Sequence, residues 1–150
     1  PDVHDLPDSA EALLFAAARA DHAANLIKPA LTRGAVVICD RYLESSVAYQ
    51  GIARGLGEDR IRELSLWATG SLLPDFTLYL QIPVDASHAR MDGDDRMEAQ
   101  SSDFHAMVHE AFRHLAQNST RPHAVIDATA PKDDVELAIR AAVLTAMATR

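Results

Sequence analysis

The stretch AVVICDRYLESSVAYQG, residues 35–51, changes from an apolar pattern to a polar one at Asp40. Its first part, AVVIC, is β-branched without alternation, which is typical of a strand covered on both faces of a parallel sheet. The following SSVAYQGIA, residues 45–53, indicates a helix that leaves the strand end. Ligands of parallel α/β sheets bind at the carboxyl ends of the strands, so Asp40 and Arg41 lie at a candidate binding edge.

The rest of the chain alternates helical and strand patterns, which predicts an α/β domain with a parallel sheet. Asp8 or Ser9 is expected to cap the first helix, and Pro29 to end or kink it. An apolar face is predicted on that helix at Leu13, Ala16, Ala17, Ala20, Ala24 and Ile27. Helices are predicted over 11–27, 58–70, 85–91, 98–117 and 131–148, and strands over 72–83 and 123–128.

Composition and charge exclude several function classes. The 150 residues fit one domain, and the hydrophobic fraction of 48% is ample for a core. A net charge of -8 argues against general affinity for nucleic acid or anionic membranes. Cys39 is the one cysteine and cannot form an intramolecular disulfide, and we find no signal peptide or membrane-spanning apolar run. We therefore expect a reducing cytoplasm as the compartment.

The polar residues at the predicted strand end suit an anionic ligand. Arg41 offers a planar fork of donors for a phosphate, and Asp40 can order that arginine or contact a metal-bound water. Polar side chains on the next helical turns lie beside the same edge, at Ser45, Ser46, Tyr49 and Gln50. The alternative is a surface ion pair followed by a capped helix.

Phe15 and Arg19 form a second candidate pair, four residues apart on the first helix. An aromatic ring beside a guanidinium can stack on a base and hydrogen-bond its edge. The alternative is that Phe15 is ordinary core and Arg19 a solvated charge.

Other features carry weaker signals. The segment DGDDRMEAQ, residues 92–100, is either a mobile lid over a phosphate site or simply a loop. His105 and His109 lack the inner glutamate of the zinc motif HExxH, so we interpret them as a solvated or half-buried face. We expect Cys39 to be a small core residue, and Trp67 and Phe76 to be packing residues.

Five motifs, in order and spacing over nearly the whole chain, resemble thymidylate kinase of the bacterial type. The run DRY followed by SS, AYQG and RGLG is highly specific, whereas FAAAR and DRME are weak alone. The motifs are FAAAR at 15–19, DRYLESSVAYQG at 40–51, RGLG at 54–57, PDFTLYL at 74–80 and DRME at 95–98.

The resemblance implies a P-loop NTPase-like fold of the nucleoside monophosphate kinase type, a parallel sheet flanked by helices. It implies phosphorylation of dTMP to dTDP by ATP with Mg²⁺, for dTTP synthesis, in a homodimer. Two alternatives stay open: a non-catalytic dTMP-binding module, and a related nucleoside or nucleotide kinase with a different acceptor.

The resemblance also implies residue roles. Arg41 would bind the dTMP phosphate, with Asp40 beside it near the magnesium and the transferring phosphoryl group. Arg96 and Glu98 would belong to the lid, about residues 90–97, and its following helix.

By the same resemblance, Phe15 would stack on thymine and Arg19 would hydrogen-bond its edge. Tyr49 would pack where a ribose 2′-hydroxyl would go and so favour deoxyribose. The remaining substrate-binding residues implied are Ser45 or Ser46, at the base, and Gln50, lining the pocket.

The sequence departs from the family at its start. Family members carry a strand and a glycine-rich P-loop with a lysine ahead of the matching part, and no GxxxxGK[ST] motif occurs in these 150 residues. We therefore expect residues 1–150 to be a single, N-terminally incomplete domain that does not catalyse phosphoryl transfer by itself. The P-loop strand would lie between AVVIC and FTLYL, so its absence would leave unpaired backbone groups on both.

Replacing Arg41 by alanine is expected to weaken monophosphate binding by about 2 kcal/mol or more, because a charge-assisted fork is lost. Calorimetric titration with dTMP measures this. Parental affinity in the variant would show that the site is assigned wrongly.

Overall fold

A computed structural model describes residues 6–83 and 101–149 of the chain. The chain divides into two compact units, Pro1–Leu73 and Pro74–Arg150. The predicted helix 85–91, the predicted lid at about 90–97, Arg96 and Glu98 lie outside the described residues. The single-domain organisation stays a prediction.

The first unit is helical throughout its regular elements. Its α-helices are α1 (Asp8–His22), α2 (Lys28–Thr32), α3 (Leu43–Ser46) and α4 (Glu58–Thr69). Two π-helical segments continue α1 and α3, and they are π1 (Ala23–Ile27) and π2 (Val47–Ala53). Helix α4 packs against both α1 and π2.

The start of α1 differs from the prediction. Pro7 is the N-cap residue, no side chain caps the helix, and the Pro7 carbonyl accepts hydrogen bonds from the backbone N–H groups of Ala10 and Glu11. The predicted cap by Asp8 or Ser9 is therefore wrong. Asp8 and Glu11 lie within the first turn instead, where negative charge interacts favourably with the helix dipole.

Pro29 neither ends the helix nor interrupts it, because π1 precedes it. The backbone N–H of Lys28 bonds to the carbonyl of Ala23, five residues earlier. A proline lacks the N–H that would bond four residues back, and its ring clashes with that carbonyl. The wider π turn ahead of Pro29 accommodates both effects, and α2 continues to Thr32.

The buried face of α1 is displaced by one residue from the predicted one. Leu13, Ala17 and Ala24 are exposed, although the predicted face included them. The physical reason is that Glu11 turns inward to pair with Arg54, and small alanines allow close approach of α4. The buried stripe of α1 and π1 consists of Glu11, Ala12, Ala16, Ala23 and Ile27.

The segment AVVIC is not a strand, which corrects the prediction. Within the described ranges, residues 35–39 have no ladder partner, and the side chains of Val36 and Ile38 are 72% and 94% exposed. A β-branched run becomes a strand only when a neighbour supplies the paired N–H and C=O groups. Cys39, at its end, is half-buried rather than core.

The predicted helices 45–53 and 58–70 are confirmed, the first beginning two residues early, at Leu43. Gly70 ends α4 in the left-handed conformation, with φ 62°, as helix caps prefer. Trp67 on α4 is 81% exposed, so its predicted packing role is wrong within this chain.

The second unit is α/β. In the described residues of this unit, the elements are β1 (Thr77–Gln81), α5 (Ser102–Gln117), β2 (His123–Asp127) and α6 (Lys132–Ala148). The strands pair in parallel, with Thr77 opposite His123 and Gln81 opposite Asp127. Both strands and α6 confirm the sequence pattern, and α5 begins at Ser102, where the Ser101 hydroxyl accepts a hydrogen bond from the N–H of Phe104.

Helices cover this sheet, because α5 packs on β1 and α6 on β2. The buried apolar side chains of the unit are Tyr79, Phe104, Val108, Ala111, Leu115, Ala116 and Ile126. In the part of the chain that the structure describes, every helix is too short or too polar to cross a lipid bilayer.

Gly51 lies where π2 meets α4, and we expect Gly51→Ala to destabilise the chain by about 1 to 3 kcal/mol. An added Cβ would stand 3.3 Å from the Glu58 Cα and 3.4 Å from the Gly57 carbonyl oxygen, and backbone atoms cannot yield as a flexible side chain can. Urea denaturation measures the loss.

The control is Gly55→Ala, which meets no atom within 4 Å but has φ 70°. This variant should lose about 1 kcal/mol of unfolding free energy, because alanine is strained at that backbone angle. Equal stability of the Gly51 variant and the parent would contradict the tight packing of π2 on α4.

Candidate functional site

Arg19 of α1 is held between three elements of the first unit. Its Nη2 donates a hydrogen bond to Oγ of Ser46 at 2.8 Å, and its Nη1 donates to Oγ of Ser65 at 3.4 Å. Its guanidinium carbon lies 5.8 Å from the ring centroid of Tyr42, within cation–π range. Helices α1, α3 and α4 thus fix one cation.

Burial is the main influence on the electrostatics of this arginine. Desolvation lowers the pKa of Arg19 from its ordinary value, and the nearby Tyr42 and Glu44 oppose that change. A guanidinium keeps its proton in proteins even so. Arg19 is therefore a fixed, partly desolvated cation with further N–H donors than the two that it uses here.

Phe15 lies one helical turn before Arg19, and its side chain is 42% exposed. Residues four apart share a helix face, so a ring surface open to solvent adjoins the fixed guanidinium. The structure thus joins Arg19 of the predicted α1 pair to Ser46 of the DRYLESS segment.

Arg41 occupies a second position in the same unit. Its guanidinium carbon lies 5.5 Å from the ring centroid of Tyr49, and both Arg41 and Asp40 are exposed. Its backbone has φ 59°, a left-handed conformation that costs a residue with a side chain about 1 to 2 kcal/mol. Such outliers cluster at ligand sites, where the surroundings impose them.

Cys39 precedes this arginine closely, and its Sγ lies 3.3 Å from the Arg41 carbonyl oxygen. Burial, followed by the neighbouring carboxylate of Asp40, raises the pKa of the Cys39 thiol. A raised pKa reduces the thiolate fraction at neutral pH.

Ser45 lies in α3 and Gln50 in π2, and the two side chains differ in burial. Gln50 is 1% exposed, and its Nε2 donates a hydrogen bond to Oε1 of Glu11 at 2.9 Å. Ser45 is half-buried. Contact of either residue with a ligand stays a prediction.

Sequence reasoning missed two residues that position Arg19. Ser65 is 1% exposed on α4, and no motif marked it. Tyr42 was part of a quoted motif without an assigned role, and its hydroxyl donates to the Leu72 carbonyl at 3.2 Å. Burial is the main reason that the pKa of Tyr42 is raised, so the phenol stays protonated at neutral pH.

The described residues offer little to a metal. Within 6–83 and 101–149, no three histidine, cysteine or acidic side chains form a metal-binding group. His105 and His109 are half-buried, as predicted, and the His109 ring contacts the Ile82 carbonyl. A contact of Asp40 with a magnesium-bound water stays a prediction.

The first unit presents three groups that can bind a ligand. They are the fixed guanidinium of Arg19, the exposed ring of Phe15 and the exposed guanidinium of Arg41. The first two suit a planar, hydrogen-bonding ring, and the third suits an anion. Contact of Phe15, Arg19 and Arg41 with a nucleotide stays a prediction.

Residues 3–139 match the family model described as thymidylate kinase. The chain belongs to the thymidylate kinase family. The match covers most of the chain, so the resemblance read from the five motifs is confirmed. Membership in the thymidylate kinase family implies the P-loop NTPase fold, which the parallel strands and flanking helices of the second unit fit.

Several curated thymidylate kinases are similar to this chain. That of Clavibacter michiganensis subsp. michiganensis is 49% identical over 135 residues, which cover 87% of this chain and 64% of the relative. That of Leifsonia xyli subsp. xyli is 47% identical over 140 residues, covering 91% and 66%. That of Bifidobacterium longum subsp. infantis is 49% identical over 142 residues, covering 94% and 61%. The chain thus spans slightly less than two thirds of the length of these relatives.

Tyr42→Phe is expected to lower the free energy of unfolding by about 1 kcal/mol, because the hydrogen bond to the Leu72 carbonyl is lost. The ring that faces Arg19 remains, so affinity for a nucleotide should not change. Chemical denaturation and calorimetry measure the two quantities. A large loss of nucleotide affinity would instead place the hydroxyl in the site.

Proposed function

We propose that the full-length protein transfers the γ-phosphoryl group of ATP to dTMP and that this chain supplies the acceptor site. The observation that carries the proposal is the contact of Arg19 with Ser46 beside the exposed Phe15. Family membership and the names of the relatives support it.

Recognition of the base is proposed for the α1 pair and the serines. The Phe15 ring stacks on thymine, and Arg19 donates hydrogen bonds to acceptors at the ring edge. Ser45 or Ser46 also contacts the base, and a hydroxyl both donates and accepts. Because Ser46 and Ser65 already hold the guanidinium, little side-chain entropy is lost when the base binds.

The phosphate is proposed to bind Arg41. Phosphoryl transfer depends mainly on positioning and on neutralising the charge of the transferring group. The exposed guanidinium of Arg41 supplies a positive fork, and Asp40 lies next to it in the chain. Arg41 also touches the ring of Tyr49, the residue proposed to exclude a ribose 2′-hydroxyl. The residue proposed to bind the phosphate and the residue proposed to select the sugar are therefore adjacent.

ATP and Mg²⁺ are the proposed donor and metal. Bound magnesium would neutralise phosphate charge, and Asp40 is the described carboxylate proposed to face it. Arg96 and Glu98 are proposed to act from the lid, and Gln50 to line the pocket. The 150 residues contain no P-loop motif, so this chain alone is proposed to bind dTMP without turnover.

The proposed assembly is a homodimer. Large apolar side chains of α1 and α4 are exposed in the single chain, and they include Leu13, Leu14 and Trp67. Sedimentation velocity would give a monomer if the proposal is wrong. The cytoplasm stays the predicted compartment.

Two assays on the full-length protein test the function. Calorimetry with dTMP and a coupled ATP assay should show both binding and turnover, whereas binding without turnover would support a non-catalytic module. Comparison of dTMP with dUMP, UMP and thymidine as acceptors tests the choice of substrate. A preference for thymidine would overturn the proposal.

Phe15→Ala is expected to weaken dTMP binding by about 1 to 3 kcal/mol, because the stacking surface is lost. The control is Leu26→Ala, which removes an apolar side chain that is 53% exposed further along the same continuous helix. The control should bind dTMP as the parent does. Equal affinities of the two variants would contradict the stacking role.

A further inference from the structure

Glu11 is a buried acid in a helix otherwise rich in alanine. It is 7% exposed, and its Oε1 accepts the hydrogen bond from Nε2 of Gln50 at 2.9 Å. Arg54 pairs with the same carboxylate, since its Nε lies 3.3 Å from Oε1. Asp8, one turn earlier on α1, lies 2.9 Å from Nη1 of Arg54. Helix α1 is thereby joined to both ends of the Gln50–Arg54 turn.

Burying a carboxylate is costly unless it is paired, and an apolar side chain would fill the same space without that cost. What a paired and hydrogen-bonded carboxylate adds is a defined distance and orientation between two elements. The contacts of Glu11 therefore indicate a role in geometry.

The turn that Glu11 contacts is wider than an α-helical turn. In π2 and the residues after it, the N–H of Arg54 bonds to the Tyr49 carbonyl, five residues back, and the N–H of Leu56 bonds to the Gln50 carbonyl, six residues back. Such wide turns lack the regular ladder of an α-helix, and they occur often at functional sites. The contacts of Glu11 and Asp8 with Gln50 and Arg54 add to these backbone bonds.

The position of Glu11 relates this support to the ligand residues. Glu11 precedes Phe15 by one helical turn and Arg19 by two, and Gln50 directly follows Tyr49. A change in the Glu11–Gln50 contact would therefore shift Tyr49 relative to the α1 pair.

We propose that Glu11 is a positioning residue that sets the distance between the base-binding residues of α1 and Tyr49, and thereby the preference for deoxyribose. This inference rests on the proposed function. In this proposal Glu11 does not touch the substrate. It holds the base-binding residues of α1 and Tyr49 in their relative positions.

The test is Glu11→Gln in the full-length protein, with kcat and KM measured for dTMP and for the corresponding ribonucleotide, 5-methyl-UMP. The ratio of the two kcat/KM values should fall about tenfold, as expected for the loss of one charge-assisted hydrogen bond. The change should lie mainly in KM. The control is Glu110→Gln, which removes an exposed pair with Arg113 on α5 and should leave the ratio unchanged.

A second variant exchanges the partners, with Glu11→Gln and Gln50→Glu combined. It restores a carboxylate–amide hydrogen bond between the same two positions. Because Gln50 is proposed to line the pocket, both kcat/KM values are expected to fall, but their ratio should recover. This variant also decides the matter if Glu11→Gln alone does not fold.

A lowered melting temperature of Glu11→Gln with the parental ratio would overturn the inference, since the role would then be stability alone. Failure of both variants to fold would overturn it likewise. A full-length parent that neither binds nor phosphorylates dTMP would overturn the proposed function, and this inference with it.

Discussion

The site depends on one interaction, the burial of the Arg19 guanidinium between Ser46 and Ser65. A cation that is partly removed from water must be surrounded by hydrogen-bond acceptors and polarizable groups. Helices α3 and α4 supply two hydroxyls and the Tyr42 ring, and this requirement brings three helices to one point. The alanine-rich face of α1 allows the close approach that these contacts need.

The polar core of the first unit follows from the same constraint. Several of its most buried side chains are polar, and each lies on a helix that borders Arg19 or Glu11. They are Ser46, Gln50, Ser65 and Thr69. Hydroxyls in this core also donate hydrogen bonds to backbone carbonyls, as the Thr69 hydroxyl does to the Ser65 carbonyl. Such a core specifies one arrangement of its helices more strictly than apolar packing alone, because each polar group must keep its partner.

Much of this architecture could be predicted from local pattern. The glycine after α4, the strands β1 and β2, and α6 all carry short-range signals that tertiary contacts did not override. The buried face of α1 could not be predicted, because every position from Ala12 to Ala20 except Arg19 is apolar and the inward acid, Glu11, pairs with a residue far along the chain. Ser65 was missed for a similar reason, since nothing local distinguishes a serine that accepts from a distant arginine. The strand AVVIC was predicted wrongly, since strand formation requires a partner that pattern alone does not supply.

The segment before Asp40, residues 35–39, matters for handling this chain in isolation. Val36 and Ile38 are 72% and 94% exposed, and their segment has no strand partner in the described ranges. Exposed β-branched segments of this kind recruit strands from other molecules and begin aggregation. Charged residues that flank such segments limit this association, and Arg33, Asp40 and Arg41 stand at its two ends. The pair proposed to act on phosphate thus also places charge next to the segment, where charge opposes strand addition.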